Sequence, residues 1–69
     1  MFDKNKFKAQ IVLMGMTSKE LAEKLGINES TLYRKVNNNG NFTREEISAI
    51  TAILRIENPA EIFFAEELA

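Results

Sequence analysis

The side chains best equipped to meet a ligand lie between Glu29 and Asn37. The Arg34 guanidinium can donate two parallel N–H bonds to a paired acceptor such as guanine O6 and N7. The Ser30 hydroxyl can donate or accept. Glu29 can accept from an exocyclic amine such as cytosine N4, although it repels phosphate if misplaced. Tyr33 can press its ring on a thymine methyl or a sugar, or donate its hydroxyl to a phosphate. This is the chemistry of reading base edges. Glu29 has a second reading, since an acid near a helix N-terminus also answers the macrodipole. Catalytic chemistry is missing. The chain has no His and no Cys, which excludes a thiolate nucleophile, a Cys/His zinc site and a His-based triad. The acids Glu45/Glu46 and Glu66/Glu67 are adjacent pairs that point to different helix faces, and no Gly-rich phosphate loop exists. The reading is therefore no enzyme, no metal, no cofactor and no small-molecule ligand.

Any surface helix shows Glu, Ser, Arg and Lys, so the elements that position these residues decide their meaning. The chain punctuates itself as short helices, expected near 4–14, 18–24, 29–36, 44–55 and 59–67. An apolar residue before a cap, paired with one five positions on, forms a hydrophobic staple. That spacing recurs as Phe2/Phe7 around Asp3, Met16/Leu21 around Thr17, Ile27/Leu32 around Asn28 and Phe42/Ile47 around Thr43. Each cap carries an oxygen that can accept from orphan N–H groups. Thr17/Glu20 and Thr43/Glu46 also read as capping boxes. Pro59 opens a fifth helix, where its missing N–H costs nothing. Gly15 and Gly26 serve as stops, and Asn37 to Asn41 with Gly40 reads as a loop. Apolar residues recur at helical spacing and no alternating strand pattern competes. Sixty-nine residues with 45% hydrophobic and 28% charged side chains make one ordinary globular domain, residues 1–69. The longest apolar runs, Ile11 to Met14 and Ile62 to Ala65, are too short to span a membrane. The expected location is cytoplasmic.

The organising segment is Thr17 to Val36. Two short helices separated by about three residues must cross steeply, as in a helix-turn-helix. Ala22 is small and lets the third helix approach the second. Gly26 can take φ > 0 and reverse the chain. Leu32 faces the notch left by Ala22. Through Thr17, Glu20-Leu21-Ala22, Leu25-Gly26-Ile27, Ser30-Thr31-Leu32 and Arg34-Lys35 the segment resembles the helix-turn-helix of the Cro/C1-type (XRE) DNA-binding family of phage and bacterial repressors. The resemblance extends over nearly the whole chain and implies an all-α, compact five-helix lambda-repressor-like domain. It further implies sequence-specific binding of double-stranded operator DNA, usually as a homodimer. The chain ends soon after helix five, which resembles a stand-alone Cro-like regulator. An excised DNA-binding domain would read the same way.

With Leu32 and Val36 inward, Glu29, Ser30, Tyr33, Arg34 and Asn37 point outward, and the second helix of such a motif enters the major groove. Phosphate contacts should ring it. Thr17, Ser18 and Lys19 open helix two, and Thr43 and Arg44 open helix four, where free N–H groups favour an anion. The two threonines also cap, leaving the hydroxyl proton free to donate. Lys35 lies at the far end of helix three. Asn37, Asn38, Asn39 and Asn41 can donate amides to phosphates, or form a plain solvated loop. Lys4, Lys6 and Lys8 alternate, do not share a face, and contribute general steering at most.

Charge is segregated. The net −1 of the whole chain divides at Arg44 into +4 (eight cations, four carboxylates) and −5 (Arg55 alone against six glutamates). The plain reading is chance in a short chain; the functional reading is that the front half faces an anion and the acidic half faces away from it. Ile62 with Phe63 or Phe64 should close the core. Alternatively one Phe stays exposed as a dimer seam, with Glu57, Glu61, Glu66 and Glu67 as its rim. The competing function is a protein-interaction module built on that acidic, Phe-bearing half.

Overall fold

The structure, a computed structural model, describes residues 1–65. The expected continuation of the last helix to 67, together with Glu66, Glu67 and Leu68, lies outside the described residues. Five helices follow one another: α1 Lys4–Leu13, α2 Ser18–Leu25, α3 Glu29–Asn37, α4 Arg44–Ile53 and α5 Ala60–Phe63. The described residues hold no strand. The all-helical class and the helix-turn-helix of α2 and α3 are as the sequence predicts.

The helix starts follow from their caps. Asp3 accepts from the Lys6 N–H at 3.0 Å. Thr17/Glu20 and Thr43/Glu46 both form reciprocal capping boxes. Asn28 departs from expectation, because its side chain makes no cap hydrogen bond. Three helices end in one geometry. The N–H of Met16, Ile27 and Ile56 reaches back to Ile11, Ala22 and Thr51 respectively, around a left-handed residue. In α1 and α2 that residue is Gly15 or Gly26, as helix C-termini prefer. In α4 it is Arg55, at φ 52°. Helix four therefore stops at Ile53, short of the expected 55, with no glycine to announce it.

One apolar cluster holds the helices. Phe7, Leu21, Leu32, Ile50 and Leu54 are its fully buried members, joined by Phe2, Ile11, Ala22, Val36, Ile56, Ile62 and Phe63. α2 packs on both α3 and α4, while α1 packs on α5. Ala22 is buried where α2 meets its neighbours, the small residue that close approach requires. At the other end Phe2, Phe7, Phe42 and Phe63 form a ring cluster with centroids 5.3–6.0 Å apart. The N-terminal arm is tied down there, Asp3 N–H to Ile62 C=O at 2.7 Å and Ala65 N–H to Met1 C=O at 2.9 Å. Phe63 closes the core, and Phe64 stays partly exposed.

Candidate nucleic-acid interface

α3 buries Leu32 and Val36 and turns Glu29, Ser30, Tyr33, Arg34 and Asn37 to solvent. Tyr33 is 65% exposed, unusual for a ring of that size. The Arg34 guanidinium has no hydrogen bond or ion pair to a described residue. A free planar donor on a rigid helix is preorganised for a bidentate acceptor, because no internal partner must first be given up.

The start of α3 is open as well. Since the Asn28 side chain does not cap, the N–H groups of Glu29, Ser30 and Thr31 have no partner among the described residues. The Asn28 amide is exposed beside them. Spacing suggested only a cap at this position, so its second possible use escaped the sequence. An Asn amide can bond adenine N6 and N7 together.

The N-termini of α2 and α4 are capped on one side and open on the other. At α2 the Ser18 and Lys19 N–H groups are unpaired, and at α4 those of Arg44 and Glu45 are unpaired. All of Thr17, Ser18, Lys19, Thr43 and Arg44 are exposed. The Thr17 hydroxyl differs from expectation. Its proton is directed to Glu20 Oε1 at 3.1 Å while its oxygen accepts from the Glu20 N–H. The same carboxylate oxygen that completes the capping box takes the proton expected to be free.

Lys35 is half-buried, and its Nζ sits 2.9 Å from Glu46 Oε1. That ion pair ties the end of α3 to the first turn of α4. The same oxygen accepts from the Thr43 N–H at 2.8 Å. A phosphate would have to draw the ammonium away from this partner. Burial alone would raise the Glu46 pKa; the Thr43 hydrogen bonds and the Lys35 ammonium outweigh it and hold the carboxyl below its ordinary value of 4.5. A depressed folded pKa means stability that is present above the ordinary value and lost as pH falls below it. Glu46→Gln keeps a capping side chain but removes the charge. It is expected to cost about 1 kcal/mol at neutral pH, the upper end of what solvent-screened pairs contribute, because this pair is half-buried. The difference from the native chain should shrink on acidification below pH 4.5, read by thermal melts of both chains across pH.

The Asn run is anchored by its backbone and by two of its side chains. Asn37 Oδ1 accepts from Lys4 Nζ at 3.2 Å, and Asn39 Oδ1 from the Phe2 N–H at 3.4 Å. Both bonds use the oxygen, so both amide NH₂ groups remain free to donate. Asn38 and Asn41 are exposed. The Lys4 bond also brings the start of α1 to the end of α3, a neighbour that local spacing could not reveal. Open helix-start N–H groups thus occur at α2, α3 and α4, with Lys19, Arg34 and Arg44 beside them and the free amides of the Asn run between α3 and α4. A family model for the Cro/C1-type helix-turn-helix (HTH) DNA-binding domain matches residues 6–67.

The chain belongs to that family. Cro/C1-type domains are the DNA-binding parts of transcriptional regulators and are of a non-enzymatic type, so the chain binds DNA as a regulator of transcription. No curated protein and no solved structure matches it. Among the described residues no helix is long and apolar enough to cross a membrane.

Proposed function

We propose that residues 1–69 form a single Cro-like repressor domain of the phage type, working in the bacterial cytoplasm or nucleoid. Two copies bind one operator, each with α3 in the major groove. The observation that carries this reading is the outward face of α3. It presents an unpaired guanidinium, an exposed tyrosine and an open helix start in the motif position that reads bases. Glu29, Ser30, Tyr33 and Arg34 are the base readers, with Asn28 added at the helix start. Ser18, Lys19 and Arg44 contact phosphates through open N–H groups or cationic side chains. Thr17, Thr43 and Asn37, Asn38, Asn39 and Asn41 supply further phosphate bonds, and Thr17 does so through a hydroxyl that must turn from Glu20. Lys35 reaches a phosphate only by leaving Glu46. The family's operator-binding regulators support the two-copy arrangement, and two-fold symmetry would appear as a palindromic site.

Salt dependence tests the electrostatic part. Each phosphate neutralised releases counterions, so log affinity falls linearly with log salt. Lys19→Ala is expected to weaken binding about equally on every sequence and to reduce the slope by about one. Fluorescence anisotropy at several salt concentrations reads this. An unchanged slope would remove Lys19 from the phosphate ring.

A further inference from the structure

Lys35 is the one cation that the chain neutralises for itself. Of its nine Lys and Arg residues, Lys35 alone is ion-paired among the described residues, with Nζ 2.9 Å from Glu46 Oε1. The two side chains are only 23% and 18% exposed, so salt screens this pair less than one standing free in solvent. The backbone of Lys35 is engaged as well. Its C=O accepts from the Asn38 and Asn41 N–H groups, each at 3.2 Å.

The partner is placed as a phosphate would be. Glu46 Oε1 accepts from the Thr43 N–H at 2.8 Å and from the Lys35 ammonium. A helix-start N–H and a lysine are donors of the kind that a DNA phosphate takes. Next along the same helix start, the N–H groups of Arg44 and Glu45 are open. A phosphate held there competes with Glu46 for Lys35.

We infer that Glu46 is a specificity-determining residue: it withholds Lys35 from DNA whose backbone is not fixed against α4 and yields it to DNA that is. In sequence-independent binding the duplex is held by diffuse, salt-screened attraction, and no single phosphate is fixed. A carboxylate already in contact wins that competition. When α3 is seated on a preferred sequence, the register of the duplex is set and a phosphate is held at the start of α4. That phosphate can take the ammonium. Lys35 then adds affinity to the seated complex and little to any other. The inference rests on the base-reading role proposed for α3 and adds a residue that touches no base.

Fluorescence anisotropy on preferred and scrambled duplexes, at several salt concentrations, tests this with the native chain, Glu46→Gln, Lys35→Ala and the double variant. Glu46→Gln keeps an oxygen for the Thr43 N–H while releasing Lys35. It is expected to bind the scrambled duplex at least about threefold more tightly, with a salt slope steeper by about one. The gain on the preferred duplex should be smaller, so discrimination falls. Lys35→Ala should leave the scrambled duplex nearly unchanged and weaken the preferred one. In the double variant the gain from Glu46→Gln should vanish. Glu45→Gln removes the same charge from the same helical turn without an ion pair to Lys35, and should leave discrimination intact. An unchanged affinity of Glu46→Gln for the scrambled duplex would overturn the inference, as would equal gains on both duplexes. So would a gain that survives Lys35→Ala or is matched by Glu45→Gln, since net charge alone would then explain it. A native chain that binds both duplexes alike marks a failure of base reading; a discriminating native chain with no Lys35-dependent gain marks a failure of this inference.

Discussion

Gly40→Ala is expected to unfold most of the population under conditions where Gly26→Ala does not. Both glycines adopt positive φ, 66° and 73°, so both substitutions carry backbone strain of about 1 kcal/mol. The difference lies in what a Cβ would meet. At Gly26 nothing stands within 4 Å. At Gly40 the new carbon would fall 2.3 Å from Phe2 Cγ. Phe2 cannot retreat freely, because its ring lies between Phe7, Phe42 and Phe63. Overpacking of this kind costs about 1–3 kcal/mol beyond the strain. The sum is a large share of the about 5 kcal/mol that a domain of this size commands. Urea midpoints of the two variants give the comparison, with similar midpoints contradicting the packing account.

Arg34→Ala has the largest expected effect on binding. The guanidinium has no partner among the described residues, so a bidentate bond to guanine would be gained without breaking an internal one. Its removal should lose roughly 1–3 kcal/mol on the preferred sequence and much less on unrelated DNA. Arg34→Lys sharpens the point. Lysine keeps the charge but not the planar fork, so it should restore general affinity and leave discrimination low. Competition binding on preferred and scrambled duplexes measures both variants. Equal losses on the two duplexes would make Arg34 a phosphate contact.

Local signals served the sequence reading well where local physics decides. The Thr17/Glu20 and Thr43/Glu46 boxes form because each pair lies within one helical turn. Leu32 and Val36 turn inward because they share a face, which fixes Tyr33 and Arg34 outward. The misses have equally physical causes. Asn28 has the right residue type for a cap, but its side chain can use other rotamers, and spacing does not choose among them. The stop after α4 lacked its usual glycine, so Arg55 hid the helix end. The Lys35–Glu46 pair spans eleven residues and the Lys4–Asn37 bond thirty-three. Such partners exist only once the helices have packed. The clash that reserves position 40 for glycine is likewise invisible until Phe2 is seated. The segregation of charge at Arg44 was legible from the start, and α2 and α3 lie in the basic part.

Base reading by α3 in duplex DNA is what the proposed function stands on. Selection of bound duplexes from a random pool by the native chain tests it most directly. The expected outcome is an enriched motif containing a guanine that drops out when the selection is repeated with Arg34→Ala, and two such half-sites in palindromic order. Recovery of sequences no different from the starting pool, at a salt concentration where the chain still binds, would contradict it.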